Sequence, residues 1–166
     1  MSVLEIKRYP DPVLKKKALP VEELNGELQG LIDSMIETMY AAPGIGLAAP
    51  QVGESKRLIV VDVSTREEKH PLIVLINPVI VSVEGKIDSE EGCLSVPGYT
   101  STIRRSERVL VKGVDREGRP VEIEATGLLS RVLQHEIDHL DGILFIDRLS
   151  PIKKEFFRKR YLRKNR

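Results

Sequence analysis

The stretch TGLLSRVLQHEIDHLDG, residues 126–142, decides the fold. Leu128, Val132, His135 and His139 recur at helical spacing, which predicts a helix from about Thr126 through Leu140, closed by Gly142. Once buried, a stripe that ends in two imidazoles must find partners for their nitrogens. His135 and His139 are four residues apart, so they lie one above the other and can reach one ion. Glu136 sits about 100° around the helix from His135, close enough to act as an acid–base group there without being a ligand. His135-Glu136-Ile137-Asp138-His139 is thus an H-E-x-x-H metal pattern. By itself it also fits a polar helix face that holds two histidines by chance.

Upstream of that helix lie β-rich runs at Leu58–Val63, Leu72–Ile76, Val79–Val83, Arg108–Val114 and Val121–Ala125. Asp115-Arg116-Glu117-Gly118 reads as a hairpin turn between the last two. Leu28, Leu31, Ile32, Met35, Ile36 and Met39 set a first long helix over Leu24–Tyr40, stopped by Pro43-Gly44. Asp11-Pro12 opens a short helical turn, and Ser150-Pro151 opens a final helix reaching about residue 164. Strands clustered between a few helices, without βαβ alternation, predict an α+β fold. No repeat or Pro/Gly linker divides the 166 residues, which fit one domain, 1–166.

An apolar fraction of 41% and a charged fraction of 31% are ordinary globular values, which argues against a disordered or membrane chain. No apolar run approaches the roughly 20 residues of a spanning helix. Met1 to Lys7 lack the basic head and apolar stretch of a secretory signal. The single cysteine, Cys93, cannot form an intramolecular disulfide, so a reducing, cytoplasmic location is expected. Net charge is +1 but uneven: from Asp147 onward nine cations (Arg148, Lys153, Lys154, Arg158, Lys159, Arg160, Arg163, Lys164, Arg166) face only Asp147 and Glu155. That leaves the tail at +7 and the rest at −6, an asymmetry expected of a tail that meets an anionic partner.

A hydrolytic metal site usually has three protein ligands and an open position. A third histidine six residues after His139 is ruled out by Phe145, although Gly142 fits that pattern. Glu155, the downstream glutamate, lies amid Lys153, Lys154 and Phe156-Phe157-Arg158, a poor ligand context. His70 follows Glu67-Glu68-Lys69 in a charged loop and is expected at the surface. Cys93 remains, within Glu90-Glu91-Gly92-Cys93-Leu94-Ser95. A lone cysteine is often a small buried hydrophobe; as a thiolate it would complete a Cys/His/His set with one position open. Gly44-Ile45-Gly46-Leu47-Ala48-Ala49-Pro50-Gln51 forms the loop between the first helix and the first clear strand. Its glycines serve a tight turn or the close approach of a substrate backbone. A phosphate cradle lacks the preceding strand, the Lys-Ser/Thr ending and the following helix.

Taken together, Gly44–Gln51, Glu91–Ser95 and Gln134–His139 resemble the bacterial peptide deformylases, in that family's order and at suitable separations. The likeness runs from Asp11-Pro12-Val13-Leu14 to Leu149-Ser150-Pro151, and the basic C-terminal helix is similar to the type 1 branch. Pro50 departs from the threonine often found in that loop, with Gln51 left in place. The resemblance implies antiparallel sheet around the helix that carries H-E-x-x-H. It implies removal of the formyl group from the N-terminal formylmethionine of nascent chains, with release of formate. It implies one divalent ion held by Cys93, His135 and His139: Fe2+ in the cell, with Zn2+, Ni2+ or Co2+ able to occupy the same site. Glu136 is then the acid–base group, and the Gln51 side chain and Leu94 backbone N–H are the oxyanion donors. Ile45, Gly46 and Gly92 are expected to wall the formyl group. Leu128, Arg131 and Val132 are expected to receive the methionine, although all three also suit plain helix packing. Glu91 and Arg105 are expected to form a supporting ion pair. The basic helix is expected to dock on ribosomal RNA, with no membrane and no DNA as partner.

Two other classes fit parts of the pattern. One is a metallopeptidase that uses the same helix on internal peptide bonds. The other is a binding module with a structural metal and an RNA-gripping tail, although structural zinc normally takes four protein ligands.

Overall fold

The computed structural model describes residues 2–164; Met1, Asn165 and Arg166, the last of the nine tail cations, lie outside the described residues. Three α-helices, α1 (Gly26–Ala41), α2 (Gly127–Leu140) and α3 (Pro151–Lys164), accompany seven strands. These are β1 (Gly46–Ala48), β2 (Leu58–Val61), β3 (Ile73–Glu84), β4 (Ile87–Cys93), β5 (Val96–Arg105), β6 (Arg108–Val114) and β7 (Pro120–Thr126). All strand pairs are antiparallel, in a five-stranded sheet ordered β1-β2-β3-β6-β7 and a β4-β5 hairpin. The fold is α+β, as the pattern predicts.

The centre of the molecule is β2, whose four apolar residues are all fully buried. Successive side chains point to opposite faces of a strand. Leu58 and Val60 therefore join Leu28, Ile32, Met35 and Met39 of α1, while Ile59 and Val61 join Val132, Leu133, Ile137 and Leu140 of α2. Fully burying a side chain of this size stabilises the fold by roughly 1.5–3 kcal/mol, so β2 anchors both layers. Asn25 caps α1 by accepting from the Leu28 N–H at 2.9 Å. Gly142 closes α2 at φ 73°, where a Cβ would meet the Lys15 carbonyl oxygen at 2.5 Å.

Several elements differ from the sequence expectation. The runs 72–76 and 79–83 form one strand, β3, bent at Asn77-Pro78 by a register shift. Asn77 adopts φ 52°, held there because its side chain bonds both the N–H and C=O of Val21. The Gly44–Gln51 segment is not all loop: 46–48 pair with β2, and Ala49–Val52 make a 3-10 turn. The β4-β5 hairpin carries no apolar run long enough to announce it, yet it delivers Cys93. On α3 Phe157 and Tyr161 are buried, whereas Ile152 and Phe156 are exposed. Among the described residues, no helix is long and apolar enough to cross a membrane.

Candidate active site

Every residue of α2 from Val132 through Leu140 is buried, so both histidines and Glu136 sit inside the protein. Opposite them β4 ends at Cys93, and the register shift between Gly92 and Cys93 turns the thiol inward. Cys93 Sγ, His135 and His139 offer ligand atoms that all lie within 4.8 Å of one another, with Cys93 Sγ 3.3 Å from His139 Nε2. The Ser95 N–H lies 3.4 Å from Cys93 Sγ.

Each ring has its own electrostatic setting. His135 Nδ1 meets Glu91 Oε1 at 3.0 Å, which leaves Nε2 for the cluster. Burial opposes charge on His135, but the Cys93 and Glu91 contacts outweigh it and hold the ring well above its ordinary value. His139 is held well below, by burial first and then by repulsion from His135 and Arg105, so it is neutral with a lone pair to give. Glu91 is also opposed by burial, yet the Arg105 fork (Nε to Oε2 at 2.8 Å, Nη2 to Oε1 at 2.9 Å) and His135 bring it down to about 2. Glu91 and Arg105 thus form the expected ion pair, and through it Glu91 orients a ring, as carboxylates do beside metal-bound histidines.

This donor set fits one divalent ion. A thiolate and two imidazoles suit zinc, iron, nickel or cobalt and not the oxygen-seeking magnesium or calcium. Three protein ligands leave a further position for water or substrate. Glu136 is adjacent but separate: its Oε1 is buried without a hydrogen-bond partner, and burial pushes its carboxyl up to about 7. A buried unpartnered carboxyl oxygen costs stability unless the site uses it.

A cavity of about 510 Å³ opens onto this cluster. Gln51, Leu94, Cys93, His135, Glu136, Glu91, Ile45, Gly46, Gly92, Leu128, Arg131 and Val132 all line it; His139 and Arg105 lie beyond its lining. Gln51 is held by its own amide: Oε1 accepts from the Ala48 N–H at 2.9 Å, and Nε2 donates to Ser95 Oγ at 3.1 Å and lies 3.5 Å from Cys93 Sγ. The N-terminal segment braces the same two loops, with Lys7 N–H donating to the Gln51 carbonyl at 2.7 Å and Tyr9 N–H to the Ser95 carbonyl at 2.8 Å. At Gly46 a Cβ would come within 2.6 Å of Glu136 Oε2 and 3.0 Å of Val132 Cγ1, so only glycine leaves Glu136 in place.

Leu128 departs from the buried stripe expected of it. It is 41% exposed in the first turn of α2, at the cavity, so the buried stripe begins at Val132. His70 lies away from the site in the 62–70 loop, its backbone bonded to Ser64 and its ring beside Glu68. Glu155 is an exposed residue of α3. Sequence reasoning missed Asp138, which binds Arg105 and Arg148, and Phe145, whose ring stacks 6.1 Å from His135. It also missed Tyr99 and Thr100 on the cavity wall. The acidic residue inside the H-E-x-x-H repeat was the one available signal for Asp138.

Comparison with known proteins agrees with this geometry. Residues 3–155 match the polypeptide deformylase family. A peptide deformylase of Thermodesulfovibrio yellowstonii is 68% identical over 161 residues, covering 97% of this chain and 98% of that one. The crystal structure of a peptide deformylase from Legionella pneumophila superposes with a TM-score of 0.91 at 49% identity, covering 99% of this chain and 96% of that one. That of the Ehrlichia chaffeensis peptide deformylase in complex with actinonin gives 0.92 at 42% identity, covering 100% and 99%. From its sequence, its fold and its Cys/His/His cluster, the chain belongs to the polypeptide deformylase family.

Proposed function

We propose that this chain removes the formyl group from the N-terminal formylmethionine of nascent polypeptides, releasing formate, as one catalytic domain spanning residues 1–166. The observation that carries the reading is the convergence of Cys93, His135 and His139 beside an unpartnered Glu136 at one cavity. Cys93, His135 and His139 would hold one divalent ion, Fe2+ in the cell and Zn2+, Ni2+ or Co2+ where availability differs. Bound there, the ion supplies Lewis acidity, which acidifies water and polarises the formyl oxygen.

The chain's own groups do the rest. Glu136, with its carboxyl near 7, accepts a proton from the attacking water and delivers it to the leaving amine. The Gln51 amide and the Leu94 backbone N–H stabilise the oxyanion, and the Gln51 amide is already fixed by Ala48 and Ser95. Ile45, Gly46 and Gly92 leave room for a formyl hydrogen and not for an acetyl methyl. Leu128, Arg131 and Val132 receive the methionine side chain, with the exposed part of Leu128 free to be covered by it. The exposed cations of α3 dock on ribosomal RNA, which places the enzyme in the cytoplasm.

Formate release from formyl-Met-Ala-Ser, with ferrous or nickel ion under anaerobic conditions, tests the reading. Rapid turnover that Cys93→Ser abolishes is the expected result. Cleavage of internal peptide bonds that survives Cys93→Ser would make the protein a metallopeptidase instead.

A further inference from the structure

We infer that Asp138 and Arg148 are positioning residues for His135, acting through Arg105 and Glu91. The inference rests on the reading of His135 as a metal ligand. Four side chains stand in alternating charge behind that ring. Arg148 grips Asp138 with two bonds, Nε to Oδ2 at 2.6 Å and Nη2 to Oδ1 at 2.8 Å. Asp138 Oδ2 also takes Arg105 Nη1 at 2.6 Å, and the rest of the Arg105 guanidinium forks onto Glu91. Glu91 holds His135 Nδ1. Arg105, Glu91 and Asp138 all have side chains no more than 10% exposed.

Charge balance gives Arg148 its part. Without it, one buried guanidinium would serve two buried carboxylates, and an uncompensated buried charge is strongly unfavourable. Arg105 would then be drawn toward Asp138, and its fork on Glu91 would loosen. With Arg148 neutralising Asp138 from the solvent side, Arg105 stays committed to Glu91, and Glu91 keeps the imidazole in one orientation. The turn after α2 makes this reach possible. Ile143 N–H returns to the Asp138 carbonyl at 2.9 Å, and the 3-10 turn Phe145–Arg148 follows. That turn sets Phe145 against the His135 face and Arg148 on Asp138. The carboxylate that the H-E-x-x-H pattern leaves unassigned is thereby given a role.

The test follows release of cobalt from the loaded protein to a chelator, with the visible spectrum and the melting of metal-free protein measured in parallel. Loss of a group that touches a ligand directly typically lowers metal affinity about 10–100-fold. Arg148 stands three residues back, so Arg148→Gln is expected to speed release about 3–10-fold and to shift the cobalt bands, with metal-free melting close to wild type. Arg148→Lys, which keeps the charge and loses the fork, is expected to fall between the two. Asp138→Asn removes the charge that competes for Arg105, so Asp138→Asn with Arg148→Gln is expected to release cobalt at the rate of Asp138→Asn alone, more slowly than Arg148→Gln. Release from Arg148→Gln at the wild-type rate, or a rise matched by a proportionate fall in metal-free melting, overturns the inference. Fully additive effects in the double variant overturn the route through Asp138. His135→Ala separates the two levels: if it holds cobalt as wild type does, His135 is not a ligand and both readings fail.

Discussion

Helices α2 and α3 are each fourteen residues long and each carry several charged groups, yet they treat charge in opposite ways. In α2 the nine residues from Val132 through Leu140 are all buried, and Asp138 accepts three charge-assisted bonds while Glu136 keeps one oxygen unpartnered. In α3 every side chain from Pro151 to Tyr161 is exposed except Phe157 and Tyr161. A charge inside the protein must be paired or used, so each one in α2 has a specific task. A charge on α3 is hydrated, so single residues there matter little and only their sum can attract a partner.

The largest effects should therefore come from α2 and the loops facing it. Glu136→Ala is expected to keep its metal and lose about 10²–10⁴-fold in deformylation rate, measured as kcat beside metal content. Loss of the ion as complete as in His135→Ala would make Glu136 a ligand and break the contrast between paired and working charge. Gln51→Ala is expected to fold, keep its metal and lose about 10²–10³-fold, mainly in kcat; a loss confined to KM would make Gln51 a ground-state binding group.

Within α3 the contrast runs along a single pair of neighbours. Phe157 is 4% exposed and packs edge-on against Tyr9 and Tyr99, with ring centroids 5.6 and 4.6 Å away, whereas Phe156 is 62% exposed. Phe157→Ala is expected to lower stability in urea by about 3–5 kcal/mol, and Phe156→Ala to stay within about 0.5 kcal/mol of wild type.

A pH series sharpens the account of buried pairing. The Glu91 carboxyl is lowered from an ordinary 4.5 to about 2 on folding. Its contribution is thus fully present above pH 4.5 and is lost as pH falls through 4.5 toward 2. Melting of metal-free protein should show wild type exceeding Glu91→Gln near pH 6, with the gap closing as pH approaches 3. A gap independent of pH would mean that Glu91 acts by shape alone. The smallest single-site effects belong to the exposed cations: Lys153→Ala or Lys154→Ala should move stability by less than about 0.5 kcal/mol. Truncation after Leu149 should reduce cosedimentation with ribosomes, and binding of the whole chain should weaken steeply between roughly 50 and 200 mM salt. Equal cosedimentation of truncated and full-length protein would leave α3 as packing alone.

The sequence is most legible where one element carries its own signal. Helical spacing in 128–139 announces α2 and its two histidines, and elimination of Phe145, Glu155 and His70 leaves Cys93, which the structure places beside them. The β4-β5 hairpin is hidden because its burial is not written in hydrophobicity: alternate residues of Ile87-Asp88-Ser89-Glu90-Glu91-Gly92-Cys93 are half-buried, yet only two of the seven side chains are apolar. The line from Arg148 to His135 is hidden for a different reason. Its members come from β4, β5, α2 and the 3-10 turn after it, and pairing across four segments leaves no trace in spacing.

Residues 2–9 tie down both loops that face the ligands, through the Gln51 and Ser95 carbonyls, while the segment remains at least partly open to water. Such edge segments open at a lower free energy than the core. On warming, the bonds to the Gln51 and Ser95 carbonyls are expected to open before β2 releases α1 and α2, so activity should be lost below the melting temperature of the whole protein.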